Sequence, residues 1–296
     1  MGDRILRRRR AAFAAGLATL ALALGTAAGP AGPATAAPAL QLNYVAIGDS
    51  YTAGTGAGED VKPASTTCWQ SSPGYVADVD KTGRVSLVVN AACHGALLTG
   101  GTETSVQTQI QTLAYTQALN ASTGMVTVTA GANDAGVSPV LLACASNGVE
   151  VCANAVAASE GALGQVGTGL ATAYATIQGV APNAKIAVLG YPRLFEPADG
   201  NPYFSLDEQV LINLATDRLN AAIAGAVASA NAGGADAQFV DVTPRFSGHA
   251  VNSDDPWIVY NGGNPLADSN FHPNAAGHRA YATAVMSEVK PAKLAK

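Results

Sequence analysis

Charge is scarce along this chain. Asp, Glu, Lys and Arg supply only 12% of its 296 residues, roughly half the share usual in soluble domains. Basic residues number 16 against 21 acidic ones. The positive field that selects phosphate backbones is therefore missing, and nucleic acid is excluded as a partner. Histidine and cysteine are limited to four each. There is no CxxC, HExxH or calcium-loop pattern, and no His/Cys cluster has ligand spacing, so no metal is expected. No GKS/T phosphate loop occurs either. Gly54-Thr-Gly56 opens like a dinucleotide fingerprint, but its third glycine position holds Glu59, so no cofactor is expected. A GxSxG elbow is absent too, which sets the chain apart from the α/β-hydrolases proper.

Long apolar runs are also missing, with one exception at the N-terminus. Arg4 and Arg7-Arg8-Arg9-Arg10 precede an Ala/Leu-rich stretch from Ala11 to about Ala28, and Ala34-Thr35-Ala36 follows. A cationic region, an apolar core and a small-residue tripeptide spell a secretory signal over residues 1–36, cut near Ala36. A retained anchor is the rival reading. It is disfavoured because the run is only weakly hydrophobic and a cleavage pattern follows it. Arg9-Arg10 leaves open the choice between general and twin-arginine export.

Residues 37–296 show no linker-like composition shift and no internal repeat, so a single domain, monomeric in solution, is expected. The leader takes five Arg and one Asp with it, leaving 11 basic and 20 acidic residues and a net charge of −9. All four cysteines lie in the exported part, where an even count favours disulfides over zinc. Cys144 and Cys152 flank Ser146-Asn-Gly148 and suit a local staple, which leaves Cys68 to pair with Cys93.

Apolar and β-branched runs at Tyr44–Ile47, Val85–Val89, Met125–Thr129, Lys185–Leu189 and Gln238–Val242 predict strands. Helix-compatible stretches separate them at Ser105–Leu119, Val151–Val180 and Leu206–Ala230, and a last helix is predicted from Asn274 to Val289. Strands alternating with helices imply right-handed βαβ units and a parallel sheet covered on both faces. The strand ends are then the place to look. Gly48-Asp49-Ser50 follows the first strand, Asn90-Ala-Ala-Cys-His-Gly95 the second, Gly131-Ala-Asn-Asp134 the third and Gly190-Tyr-Pro192 the fourth. Open α/β sheets carry their chemistry along that edge.

Ser50 is a weak nucleophile unless a base takes its proton. His272 stands in a turn-forming loop before the last helix and can reach a sheet edge. His278 falls inside the predicted helix and reads as a surface or capping residue. His249 sits in a plain loop, and His94, beside Gly95, reads as a solvated loop residue that could line the site. Donors for a developing oxyanion are available in the Ser50 amide, the Gly95 amide and the Asn133 side chain. Each also has a plain reading as a turn or cap; their joint occurrence at successive strand ends is what chance does not explain. Asp254-Asp255 reads as a solvated loop pair, and Tyr51, Trp69 and Trp257 as pocket walls or packing.

Gly48-Asp-Ser-Tyr51, Gly95, Gly131-Ala-Asn-Asp134 and Phe271-His-Pro273, in that order, resemble the four blocks of the SGNH, or GDSL-type, hydrolases. The likeness runs from about Asn43 to Ala284 and is nearest to the secreted actinobacterial lipase/esterase group. It implies a three-layer α/β/α sandwich of about five parallel strands, flavodoxin-like in topology. It also implies an ester hydrolase with Ser50 as nucleophile, His272 as general base, and an oxyanion hole of Ser50, Gly95 and Asn133. The substrate would be a small-molecule or lipid ester, with the acyl chains of triacylglycerols or phospholipids leading, so that a phospholipase is included. A carbohydrate O-deacetylase and an inactive secreted binding protein are the alternatives. Two departures stand out. Ser269 occupies the place where most of the wider family has Asp, so His272 is expected to be oriented by the Ser269 or Asn270 carbonyl, or else by the Asp268 carboxylate. The chain also has no cysteines left for a further disulfide found in some relatives.

Overall fold

The computed structural model describes residues 41–61, 68–100, 102–146, 148–198 and 200–295; the expected leader and its cleavage point lie outside them. The elements run β1 (Leu42–Gly48), α1 (Ser50–Ala53), β2 (Glu59–Val61), β3 (Gln70–Ser72), α2 (Tyr75–Asp80), β4 (Val85–Asn90), α3 (Val106–Tyr115) and β5 (Thr123–Thr129). They continue with α4 (Val137–Ser146), α5 (Val149–Val180), β6 (Lys185–Leu189), α6 (Leu206–Ala232), β7 (Ala237–Val240), α7 (Ala275–Ala284) and α8 (Pro291–Leu294). Five strands form one sheet in the order β4-β1-β5-β6-β7, every pairing parallel. The expected α/β/α fold is therefore present, and its strand order reverses beside β1, the position at which doubly wound sheets open a crevice.

Parallel strands with both faces covered read as unbroken apolar runs. Val45, Ala46 and Ile47 of β1, Val126 and Val128 of β5 and Ile186 to Leu189 of β6 are accordingly buried. On the helical side, α5 packs along α6 and also touches α3 and α4, whereas α2 packs on α7. Ser205 starts α6 with a reciprocal capping box to Glu208. That helix has the length and composition of a membrane span, but it packs along α5 and β7. The Asn213 and Asn220 side chains of α6 tie down the β6–α6 loop through the backbone of Tyr191, Leu194 and Phe195.

Strand positions follow the hydrophobic pattern, and the differences have local causes. β7 stops at Val240, two residues short of Val242, before a 3-10 turn at Thr243–Phe246 that Pro244 helps to set. The last helix is α-helical only to Ala284 and closes in a π turn at Val285–Val289, with Asn274 capping its start. The sequence pattern does not mark α1, α2, α4, α8 or the β2–β3 hairpin. α4 is an apolar run with Pro139 in its first turn, so neither periodicity nor a clean start marks it. The β2–β3 hairpin has strands of only three residues. Both expected disulfides form. Cys68–Cys93 joins the segment before β3 to the loop after β4, and Cys144–Cys152 staples α4 to α5.

The C-terminal end of β1 is held by one amide side chain. Gln109 of α3 accepts from Gly48 N–H at 2.8 Å and donates to the Gly48 carbonyl at 2.9 Å and the Thr104 carbonyl at 2.8 Å. Gln109 is buried, so no water stands ready to replace it. Gln109→Ala leaves the Gly48 N–H without its partner and opens a hole. The expected cost is about 2–4 kcal/mol of unfolding free energy in a denaturant titration. A loss below about 1 kcal/mol would mean that water restores the bonds.

Candidate active site

At the end of β1, Gly48 adopts φ +143°, and a Cβ there would run into the Thr129 backbone of β5. Only glycine fits so close an approach. The chain then turns abruptly, and Asp49 caps α1. Its carboxylate accepts from Tyr51 N–H at 3.1 Å, Thr129 Oγ1 at 2.7 Å and Tyr191 Oη at 2.5 Å. Burial pushes the Asp49 carboxyl up to about 6 against the pull of these three bonds. Ser50 thus begins α1 with its hydroxyl facing the cleft, and its N–H is among those that have no partner within a helix.

His272 Nε2 lies 2.7 Å from Ser50 Oγ, and its Nδ1 lies 2.9 Å from the Asn270 carbonyl. A carbonyl only accepts, so Nδ1 carries the proton and Nε2 presents its lone pair to the serine hydroxyl. The Nδ1 partner is thus one of the two expected carbonyls, and the Asp268 expectation is corrected. The Ser269 carbonyl is also close by and accepts from the His272 backbone N–H at 3.2 Å. The Asp268 carboxylate is largely exposed and faces His94 Nε2 at 3.9 Å rather than His272. Asn270, two residues before the base, sits where a tight turn directs its carbonyl back at the ring.

That turn is backbone-strained. Phe271 stands at φ +60°, a conformation rare for an aromatic residue and costing about 1–3 kcal/mol. Five hydrogen bonds hold it. Tyr51 Oη donates to the Phe271 carbonyl at 2.7 Å, and Phe271 N–H donates to the Val259 carbonyl at 2.7 Å. Val259 N–H returns a bond to the His272 carbonyl at 2.8 Å. The buried Asn270 side chain accepts from Asn261 N–H and donates to the Asn264 carbonyl. Tyr51 is therefore more than a pocket wall: the neighbour of the serine fixes the loop that carries the histidine.

Gly95 and Asn133 come to the same cleft from the next two strand ends. Gly95 is at φ +73° with open space where a Cβ would be. Its loop is fixed by the Cys68–Cys93 bond, by Cys93 N–H on the Gly48 carbonyl and by His94 N–H on the Trp69 carbonyl. Asn133 Nδ2 spends one hydrogen on the Ala96 carbonyl at 2.9 Å, which orients the amide beside Gly95. Asp134 completes the clasp by accepting from Leu98 N–H. The four groups picked out in the sequence, Ser50, His272, Gly95 and Asn133, thus share one cleft.

The cleft encloses about 680 Å³. Leu141 and Leu142 of α4, with Leu194, Phe204 and Leu219, give it an apolar wall. Among the other histidines, His278 is not on the surface as expected. It is buried, with Nδ1 accepting from Tyr75 N–H and Nε2 donating to the Thr55 carbonyl. His249 stacks on Trp257 at 3.5 Å and contacts Asp255, so Trp257 is a packing residue outside the cleft. His94 is half-buried and lines the cleft, stacked on Trp69 at 4.0 Å.

A family model described as GDSL-like Lipase/Acylhydrolase matches residues 46–280, from β1 through the serine to α7. The chain belongs to that family. It is accordingly an ester hydrolase. Lipase 1 of Streptomyces coelicolor is 31% identical over 88% of this chain and 92% of its own. A lipase of Streptomyces rimosus is 33% identical over 92% and 94%. Among solved structures, the extracellular lipase of S. rimosus superposes with a TM-score of 0.67 at 28% identity, covering 83% of this chain and 99% of that one. Phospholipase A1 of Streptomyces albidoflavus gives 0.70 at 27%, covering 84% and 99%.

For this GDSL-type hydrolase the electrostatics of His272 matter most. Burial, reinforced by the nearby His94, lowers its pKa from 6.5 to about 3, while the backbone bonds to Asn270 and Ser269 pull the other way. A lowered pKa keeps the imidazole neutral, the form able to accept a proton, as pH falls. The acid limb of kcat/KM for a neutral ester is therefore expected below pH 6.5, and a midpoint at or above 6.5 would contradict this environment. Tyr51→Phe removes the bond that holds the Phe271 carbonyl. A loss of roughly five- to tenfold in kcat/KM is expected, with little change in the unfolding midpoint. Activity within about twofold of the parent would show that the histidine loop stands without it.

Proposed function

We propose that the protein is a secreted, monomeric lipase-type hydrolase that transfers the acyl group of a carboxylic ester to Ser50 and then to water. One observation carries the reading: Ser50 Oγ and His272 Nε2 lie 2.7 Å apart in the lining of a cleft with an apolar wall. In this mechanism His272 Nε2 takes the hydroxyl proton as Oγ attacks the carbonyl carbon, and Nδ1–H donates throughout to the Asn270 carbonyl. The Ser50 and Gly95 amides and the Asn133 side chain stabilise the oxyanion. The imidazolium returns its proton to the leaving alcohol, and water then repeats the sequence on the acyl-enzyme. None of these steps calls for a cofactor. Export through cleavage near Ala36 agrees with the two disulfides and with the extracellular lipase relative.

The apolar wall supports an acyl chain as the bound group. An acetyl group would leave most of that lining uncovered, so deacetylation is the weaker reading. Hydrolysis of p-nitrophenyl esters of increasing chain length tests both. Each buried methylene is worth about 0.8 kcal/mol, so kcat/KM should rise about fourfold per carbon until the cleft is filled. Ser50→Ala should lower kcat by at least about four orders of magnitude. A profile that peaks at acetate would favour the deacetylase, and a Ser50→Ala rate equal to the parent would exclude the acyl-enzyme.

A further inference from the structure

The carboxylate that the sequence offers to His272 faces a different histidine. Asp268 Oδ1 is 3.9 Å from His94 Nε2, and both residues line the catalytic cleft. His94 is set firmly: its ring stacks on Trp69 at 4.0 Å, and its Nδ1 lies 3.0 Å from Thr55 Oγ1. Its ring centroid is 5.5 Å from that of His272. In the proposed acyl-enzyme mechanism the leaving oxygen must come to His272 Nε2, because that nitrogen returns the proton. His94, with Asp268 facing it, is thus a polar side chain of the cleft within reach of substituents on the alcohol carbons, while the leucine and phenylalanine wall is the apolar lining open to the acyl chain.

We infer that His94 and Asp268 form the subsite for the alcohol half of the ester and select neutral alcohols that carry further hydroxyl groups. A carboxylate accepts from a hydroxyl, and an imidazole can donate or accept, so a vicinal hydroxyl finds partners there that a bare alkyl group does not. The negative charge of Asp268, on a chain already rich in acidic residues, disfavours phosphate-bearing alcohols at the same place. This inference rests on the acyl-enzyme reading above.

The test compares 2,3-dihydroxypropyl butyrate with ethyl butyrate, two esters that share an acyl group and differ only in the alcohol. For the parent protein, kcat/KM is expected to be higher for the dihydroxypropyl ester. In His94→Ala and in Asp268→Asn the ratio between the two esters should fall about tenfold, the size of a lost hydrogen bond to a charged group. Asp268 is largely exposed, so its variant folds even if loss of the His94–Trp69 stack disturbs the other. A ratio that moves less than about threefold in Asp268→Asn, or losses that are equal on both esters, would overturn the subsite. Ser50→Ala, run on ethyl butyrate, separates the two claims. A parent-like rate there removes the acyl-enzyme reading itself, whereas serine-dependent hydrolysis with an unmoved ratio removes only the alcohol subsite.

Discussion

The close crossing of Gly48 over Thr129 is the constraint on which the rest of the site depends. With no side chain at Gly48, β1 ends directly against β5, and the chain can turn into α1 within one residue. Asp49 is then buried where Thr129 and Tyr191 can bond its carboxylate, so strand β5 and the loop after β6 both grip the residue before the serine. Gln109 holds the same point from α3. Ser50 is placed by four elements at once. A serine anchored in this way has little freedom of its own, and its geometry with His272 depends on how the partner loop is held.

That loop is the less regular half of the site, and it is tied back to the serine by Tyr51. The strain at Phe271 turns the Asn270 carbonyl toward Nδ1 and the imidazole toward Ser50. Removing the strain by a relaxed backbone would separate those two directions. Strained backbone at such a place persists only where surrounding bonds over-determine it, and here Val259, Asn261, Asn264 and Tyr51 supply them.

Much of this was legible in the sequence, for a physical reason. Buried parallel strands must be apolar along their length, so all five show as runs, and residues at their ends inherit a common edge. Ser50, Gly95 and Asn133 were picked out from that rule, and His272 from its loop before the last helix; the four share one cleft. What escaped detection depends on contacts between segments far apart in the chain. Gln109 reads as an ordinary helix residue until Gly48 is seen across from it. Asn270 acts through a backbone carbonyl, which no residue type advertises, so only the family resemblance offered it, beside Ser269 and Asp268, as the group that orients His272. His278 sits on a helix whose buried face is set by α2 and the loop after α1, so its spacing alone suggested the surface. Asp268 was a plausible partner for His272 by spacing, but the turn at Phe271 directs it to His94 instead.

Orientation by a carbonyl has a chemical consequence on the proposed mechanism. The Asn270 oxygen fixes the same imidazole tautomer that a carboxylate would, and loss of the right tautomer is the costliest fault in a serine–histidine pair. What the carbonyl lacks is full negative charge, so the imidazolium formed during attack receives less stabilisation. Burial acts in the same direction, lowering the pKa of His272. A reluctant imidazolium makes the first proton transfer harder and the second easier, since it readily gives its proton to a departing alkoxide. The balance suits esters of aliphatic alcohols, whose poor leaving groups need a strong acid more than a strong base. The burden of the first step then falls on the oxyanion donors, which is where the disulfide-held Gly95 loop and the oriented Asn133 amide concentrate the rigidity of the fold.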